Sequence, residues 1–185
     1  MKSSKAIAAI LFFPALLVSA GLPVLSLENL ASQSDVIVSG RVVRSWAALD
    51  PENRFIWTHY EIKVTNILKG PAQASIEIAE PGGALHGVTQ IIPGSTSYAA
   101  GEQVSIFLYR TPIGYLRTTN YGQGKFLISP DGRVVPNHWI NIAGASIADG
   151  HPSPGGTKPE TLEGMNWKEF ELRVSRIVAD QREVR

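Results

Sequence analysis

The chain has no cysteine, and that absence excludes a good deal. Disulfides, thiolate metal sites, a cysteine nucleophile and a lipid-modified N-terminal cysteine all go with it. It also lacks an excess of either charge. Lys and Arg number 17 against 16 Asp and Glu, and removing Lys2 and Lys5 with a cleaved leader leaves 15 against 16. No basic field for nucleic acid follows from that balance. No like-charge block, low-complexity tract or internal repeat is present. Beyond the first 20 residues no apolar run approaches the length needed to span a bilayer. No serine stands in a Gly-x-Ser-x-Gly elbow. The four histidines, His59, His86, His138 and His151, show no helical zinc spacing.

What is present begins with a leader. Lys2 and Lys5 precede the apolar run Ala6 to Val18, and Val18-Ser19-Ala20 offers small residues before a cut. Residues 1–20 therefore read as a secretory signal, and the product as secreted or periplasmic, with no membrane span after removal. A disulfide-free exported chain has to be held by its core. At 44% hydrophobic and 18% charged residues, it has the material for one.

The longest pattern lies in residues 54–70. From Tyr60 onward, Tyr60, Ile62, Val64 and Leu68 fall on one side, and Glu61, Lys63 and Thr65 on the other. Period two with β-branched and aromatic residues predicts a strand with one buried face. Its length requires bending, as in the wall of a barrel. Ser26 predicts an N-cap for a helix over 27–33. Strands follow at 36–43, with Gly40 marking a bulge or bend, and at 74–80, 88–92 and 103–109. In the last, Val104, Ile106 and Leu108 oppose Phe107 and Tyr109, as in a strand covered on both faces. Residues 114–117 and 125–128 read as a further pair, and Asp131-Gly132 as a hairpin turn. Gly122-Gln123-Gly124-Lys125 fits a bend better than a phosphate loop, since no helix follows. At the end, Asn166 and Glu169 have capping-box spacing. Trp167, Phe170, Val174, Ile177 and Val178 then form an apolar stripe, with fraying from Gln181 on. The expected organisation is signal 1–20, β-barrel 21–135, Pro/Gly-rich loop 136–160 and a C-terminal helix in 161–185 packed on the barrel.

Ser34-Asp35-Val36-Ile37-Val38, then Tyr60-Glu61-Ile62-Lys63, then Leu68-Lys69-Gly70-Pro71 and Gly101-Glu102 resemble the netrin-like module. This is the OB-fold-like barrel of tissue inhibitors of metalloproteinases. The resemblance covers about residues 34–110. It implies a mainly β, OB-fold-like small barrel with a short N-terminal helix and a C-terminal amphipathic helix. In that family the inhibitory group is an N-terminal cysteine. With none here, no inhibitory residue carries over, and a fold does not imply a function.

The aromatic residues are the best functional lead. Trp46, Phe55, Trp57, His59, Tyr121 and Trp139 occupy polar-phase or loop positions, where rings either plug barrel ends or present a binding face. The expected ligand-binding residues are Trp57, His59, Tyr121 and Trp139. Their expected partner is a protein or glycan of the envelope or medium, with no cofactor, no resident metal and no nucleic acid. Catalytic residues are not expected. Two alternatives stand: a metal-dependent hydrolase using His59, His86 and His138, and a cysteine-free metalloprotease inhibitor. The carboxylate pairs Glu77 with Glu80 and Glu102 with Asp131 are expected in solvent.

Overall fold

The computed structural model describes residues 24–52, 54–137 and 162–183. The leader and the expected loop 136–160 fall almost wholly outside these, as do His138, Trp139 and His151. No helix among the described residues is long and apolar enough to cross a membrane.

The chain opens with α1 (Leu27–Gln33), where Ser26 Oγ accepts from Asn29 N at 3.2 Å, the predicted cap. Two 14-residue strands follow, β1 (Val36–Leu49) and β2 (Ile56–Lys69). Next come β3 (Ser75–Pro81), a hairpin of β4 (Gly83–Leu85) and β5 (Val88–Gln90), then β6 (Gln103–Arg110) and β7 (Leu116–Thr118). A 3-10 turn (Tyr121–Gly124), β8 (Lys125–Ile128), β9 (Val134–Pro136) and α2 (Trp167–Glu183) complete it. The fold is mainly β. Seven antiparallel strands form one sheet in the order β3-β2-β1-β6-β8-β9, with β7 pairing β6, and β4-β5 stand as a separate pair.

Two apolar layers lie on opposite faces of this sheet. Between the helices and the sheet sit Leu30, Ala31, Ile37, Phe107, Phe126, Phe170 and Val174. The other face gathers Val38, Val42, Tyr60, Ile62, Ile78, Val104, Ile106 and Leu108. The alternation in β6 thus has the predicted meaning, since Phe107 faces the helices while Val104, Ile106 and Leu108 face away. The α2 stripe is also placed as predicted, with Phe170, Val174 and Val178 buried and Trp167 and Ile177 packed alongside. Each buried side chain of that size stabilises by about 1.5–3 kcal/mol.

Bulges make the long strands bend. The β1–β2 register shifts between Ile37 and Val38, between Ser39 and Gly40, and between Val42 and Arg44. Each adds a residue to one strand and increases the local twist. Gly40 permits the middle one: a Cβ there would meet Lys63 O at 2.4 Å and Ile62 Cγ2 at 2.8 Å.

The structure corrects several expectations. Leu68 does not share a face with Tyr60 and Ile62. The bulges between Val64 and Leu68 shift the phase, and Leu68 joins the layer under the helices. The first strand continues past residue 43 to Leu49, because Trp46, Ala47 and Ala48 pair with β2. Residues 116–118 and 125–128 do not pair with each other; both pair with β6, at its two ends. Gly122–Gly124 lies within a 3-10 turn, and a Cβ at Gly124 would meet Thr119 O at 2.7 Å. The last helix does not fray at Gln181, whose Nε2 donates to Glu28 O at 2.9 Å and ties α2 to α1.

The two lateral edges of the sheet are treated differently. Along β9, Val134 N donates to Met165 O and Gly164 N to Val134 O, both at 2.9 Å, so the segment before α2 covers that edge. Between β3 and β7 no ladder forms. There the Glu80 carboxylate bridges the strands, its Oε1 accepting from Thr118 N at 2.8 Å.

Candidate functional site

Two of the expected ligand-binding residues, Trp57 and His59, come together near the hairpin that joins β1 and β2. That hairpin is fixed by Asp50, whose Oδ1 accepts from Arg54 N at 2.7 Å, a turn-closing bond that an Asp side chain readily makes. The register sets Trp46 opposite His59, and their rings stack at 5.4 Å with a 12° tilt. Tyr115, from the β6–β7 connection, meets His59 edge-on at 5.4 Å and Trp57 edge-on at 5.1 Å. Arginines close both ends. The Arg44 guanidinium lies 4.9 Å from the Trp46 ring, and Arg117 lies 5.6 Å from Trp57. Arg117 also lies 5.9 Å from Tyr109. The result is a row running Arg44, Trp46, His59, Tyr115, Trp57, Arg117.

Such ring geometries are the preferred ones for aromatic and cation–π pairs. Trp46, Trp57 and Tyr115 are each half-buried, so the row is packed from behind and open in front. His59 is buried, and its Nδ1 donates to Glu77 Oε1 at 2.8 Å. An ionised carboxylate only accepts, so Nδ1 carries the proton of this contact. Neither His59 Nε2 nor Trp57 Nε1 has a hydrogen-bond partner among the described residues.

Tyr121 stands apart from the row. It sits in the 3-10 turn at φ 57°, 37% exposed, and joins none of the ring contacts among the described residues. Trp139 lies outside the described residues. Phe55 is exposed on the β1–β2 connection. His86 occupies the β4–β5 turn, and among the described residues no group of three or more His, Asp or Glu side chains is placed to hold a metal. His138, the third residue of the hydrolase alternative, lies outside the described residues.

Behind the row lies a buried polar cluster that the sequence did not reveal. Glu80 is 1% exposed rather than solvated, and burial pushes its carboxyl pKa up against the opposing pull of Thr118 and Arg117. Arg117 Nε and Nη2 each approach Glu80 Oε2 at 3.4 Å, so this residue links the cluster to Trp57. Tyr98 shares a 2.6 Å hydrogen bond with Thr118, and burial raises its hydroxyl well above the usual phenol range. Lys125 is buried too. Its Nζ donates to Ser97 O at 2.7 Å and to Glu102 Oε2 at 2.8 Å, and rests 4.4 Å from the Tyr98 ring. Glu102 therefore pairs with Lys125, not with Asp131, which lies beside Ser129 and Arg133. Every charge in the cluster has an opposite partner, the condition under which buried charge is tolerated.

Sequence reading missed Tyr115, Arg44 and Arg117 as members of the row. Arg44 is placed by the register of residues 44–49 against 56–61, which residues 44–49 alone do not announce. Tyr115 and Arg117 arrive through β7, whose placement beside β3 is tertiary. The chain matches no protein-family model and no curated protein.

Proposed function

We propose that this protein is an exported, non-enzymatic binding module for a protein or glycan partner of the envelope or medium. Its strands would curl into an OB-like barrel of the netrin-like kind, and the aromatic row would be its contact face. The row itself carries the reading. Two half-buried tryptophans flank a histidine and a tyrosine in fixed geometry, with an arginine at each end and Glu61 and Glu77 alongside. Sugar rings and extended peptides both stack on such platforms, while flanking charged groups supply directional hydrogen bonds. The polar cluster behind it supports the same reading. Its charges are consumed in internal pairing and give rigidity to Arg117 and Trp57, which binding favours.

Tryptophan emission follows the face directly. Titration of the full chain with a panel of oligosaccharides and envelope proteins is expected to shift it for at least one partner. Trp46→Ala together with Trp57→Ala is expected to abolish that binding. Unchanged affinity in the double variant would refute the reading.

A further inference from the structure

We infer that the outer edge of β3, which pairs with no further strand among the described residues, is a docking site for an extended segment of another polypeptide, one that alternates apolar and basic residues. The inference does not rest on the aromatic row as a binding face, and its test reads the two separately.

The edge presents main-chain groups outward. Val64 N donates to Ala74 O at 2.9 Å and Gly82 N to Ile56 O at 2.8 Å, which fixes the phase of the β2–β3 ladder. With the observed register, Ile76, Ile78 and Glu80 exchange bonds with β2. Antiparallel alternation then directs the N–H and C=O of Glu77 and Ala79 away from β2. They point into a groove of about 250 Å³, walled on one side by Glu77, Ile78 and Ala79 and on the other by Gly114, Tyr115 and Leu116. The opposite edge of the sheet, at β9, is covered by its own chain through Gly164 and Met165. Left uncovered, a row of ladder groups is a template for a further strand.

The groove is a wedge. It is closed at one end by the Glu80–Thr118 hydrogen bond and extends to Gln73 and Arg110 at the other. An incoming chain enters at Gln73 and meets about four residues of β3, roughly 13 Å at strand rise.

Side-chain chemistry selects the occupant. Ile76, Ile78 and Leu116 belong to the apolar layer, so residues turned inward must be apolar. On the outer face Glu77 stands directly opposite Glu61 in the register. Like charges so placed repel. Glu61 is relieved by Arg44, and among the described residues Glu77 pairs with the His59 ring and with no lysine or arginine. A lysine or arginine beside Glu77 supplies the missing positive charge.

Amide exchange on the full chain tests this with synthetic eight-residue peptides alternating valine with lysine or with glutamate. The valine–lysine peptide is expected to slow exchange at Glu77 and Ala79 at least tenfold, with Tyr60 and Ile78 unchanged. N-methylation at alternate peptide positions gives two series, of which one abolishes the effect and the other preserves it. Glu77→Pro removes an outward N–H together with the carboxylate beside His59 and is expected to abolish protection at Ala79; should it not fold, the N-methyl series decides. No slowing with any peptide, equal effects in both N-methyl series, or equal protection by the glutamate peptide overturns the inference. A shift in tryptophan emission without protection at these amides also overturns it, while leaving the aromatic face standing.

Discussion

The two halves of the β1–β2 ribbon differ in what surrounds them. At the root, Val36–Val42 and Ile62 lie between apolar layers, and Ile37, Val38, Ser39, Val42 and Ile62 are at most 1% exposed. Bulges set the curvature there, and a close backbone approach demands a glycine at position 40. At the tip, residues 44–49 and 57–59 pair just as regularly, yet carry arginine, tryptophan and histidine, mostly half-buried. Both halves are antiparallel pairs, bulged at the root and regular at the tip, and what differs most is the use of the side chains. The root holds the fold, and the tip can spend its side chains on contact with something else. Variants that fall on one half and spare the other sharpen this contrast.

The largest loss of stability is expected at the root layer. Phe170→Ala empties a fully buried position against Phe126, 4.8 Å between ring centroids, and should cost about 3–5 kcal/mol. Denaturant unfolding measures it. Gly40→Val drives a branched side chain against Lys63 O and should cost at least about 3 kcal/mol, with a loss of exchange protection centred on Ser39 and Val64. A normal melting curve for either variant would break the assignment of the root as the stabilising half.

A smaller, pH-dependent effect belongs to the junction of root and tip. Burial raises the folded-state pKa of Glu80 above its usual 4.5. Its contribution is therefore fully present below the unfolded pKa and is lost as pH climbs from there through the raised folded value. The stability difference between the natural chain and Glu80→Gln should move against the natural chain across that window. Unfolding free energies at pH 4 and pH 7 check the sign. A difference that moves the other way would mean that the Arg117 pairing outweighs desolvation.

The tip should respond least in stability and most in binding. Trp46→Ala is expected to cost about 1–2 kcal/mol, since part of its surface is already in water. Arg44→Ala, an exposed ion-pair and ring partner, should change stability by at most about 0.5 kcal/mol. Both should weaken partner binding by far more than that fraction of total stability. Calorimetric melting set beside partner titration separates the two effects.

Much of this division was legible in the residues. Ser26, the stripe from Trp167 to Val178, the alternation of β6 and the Tyr60–Val64 phase are local signals, and local signals report directly on local geometry. Leu68 was misplaced because a bulge changes phase without marking the residues that follow it. Residues 44–49 did not announce a strand because half-buried positions blur the alternation. Glu80 escaped because a carboxylate in a strand reads the same whether it meets water or a neighbouring strand. The site was half visible: Trp57 and His59 lie on one traceable strand. Tyr115 comes from the connection into β7 and Arg117 from β7 itself, and only the position of β7 against β3 brings them there.

The layer beneath the helices draws on both ends of the chain, since Leu30 and Val174 belong to it alike. A polypeptide released N-terminus first must leave Phe107 and Phe126 partly wetted until the seventeen-residue α2 emerges. Ripening of this molecule is therefore a last-step event. A chain cut ahead of Phe170 would leave α1 as the one described helix over that greasy side, prone to clump rather than to bind.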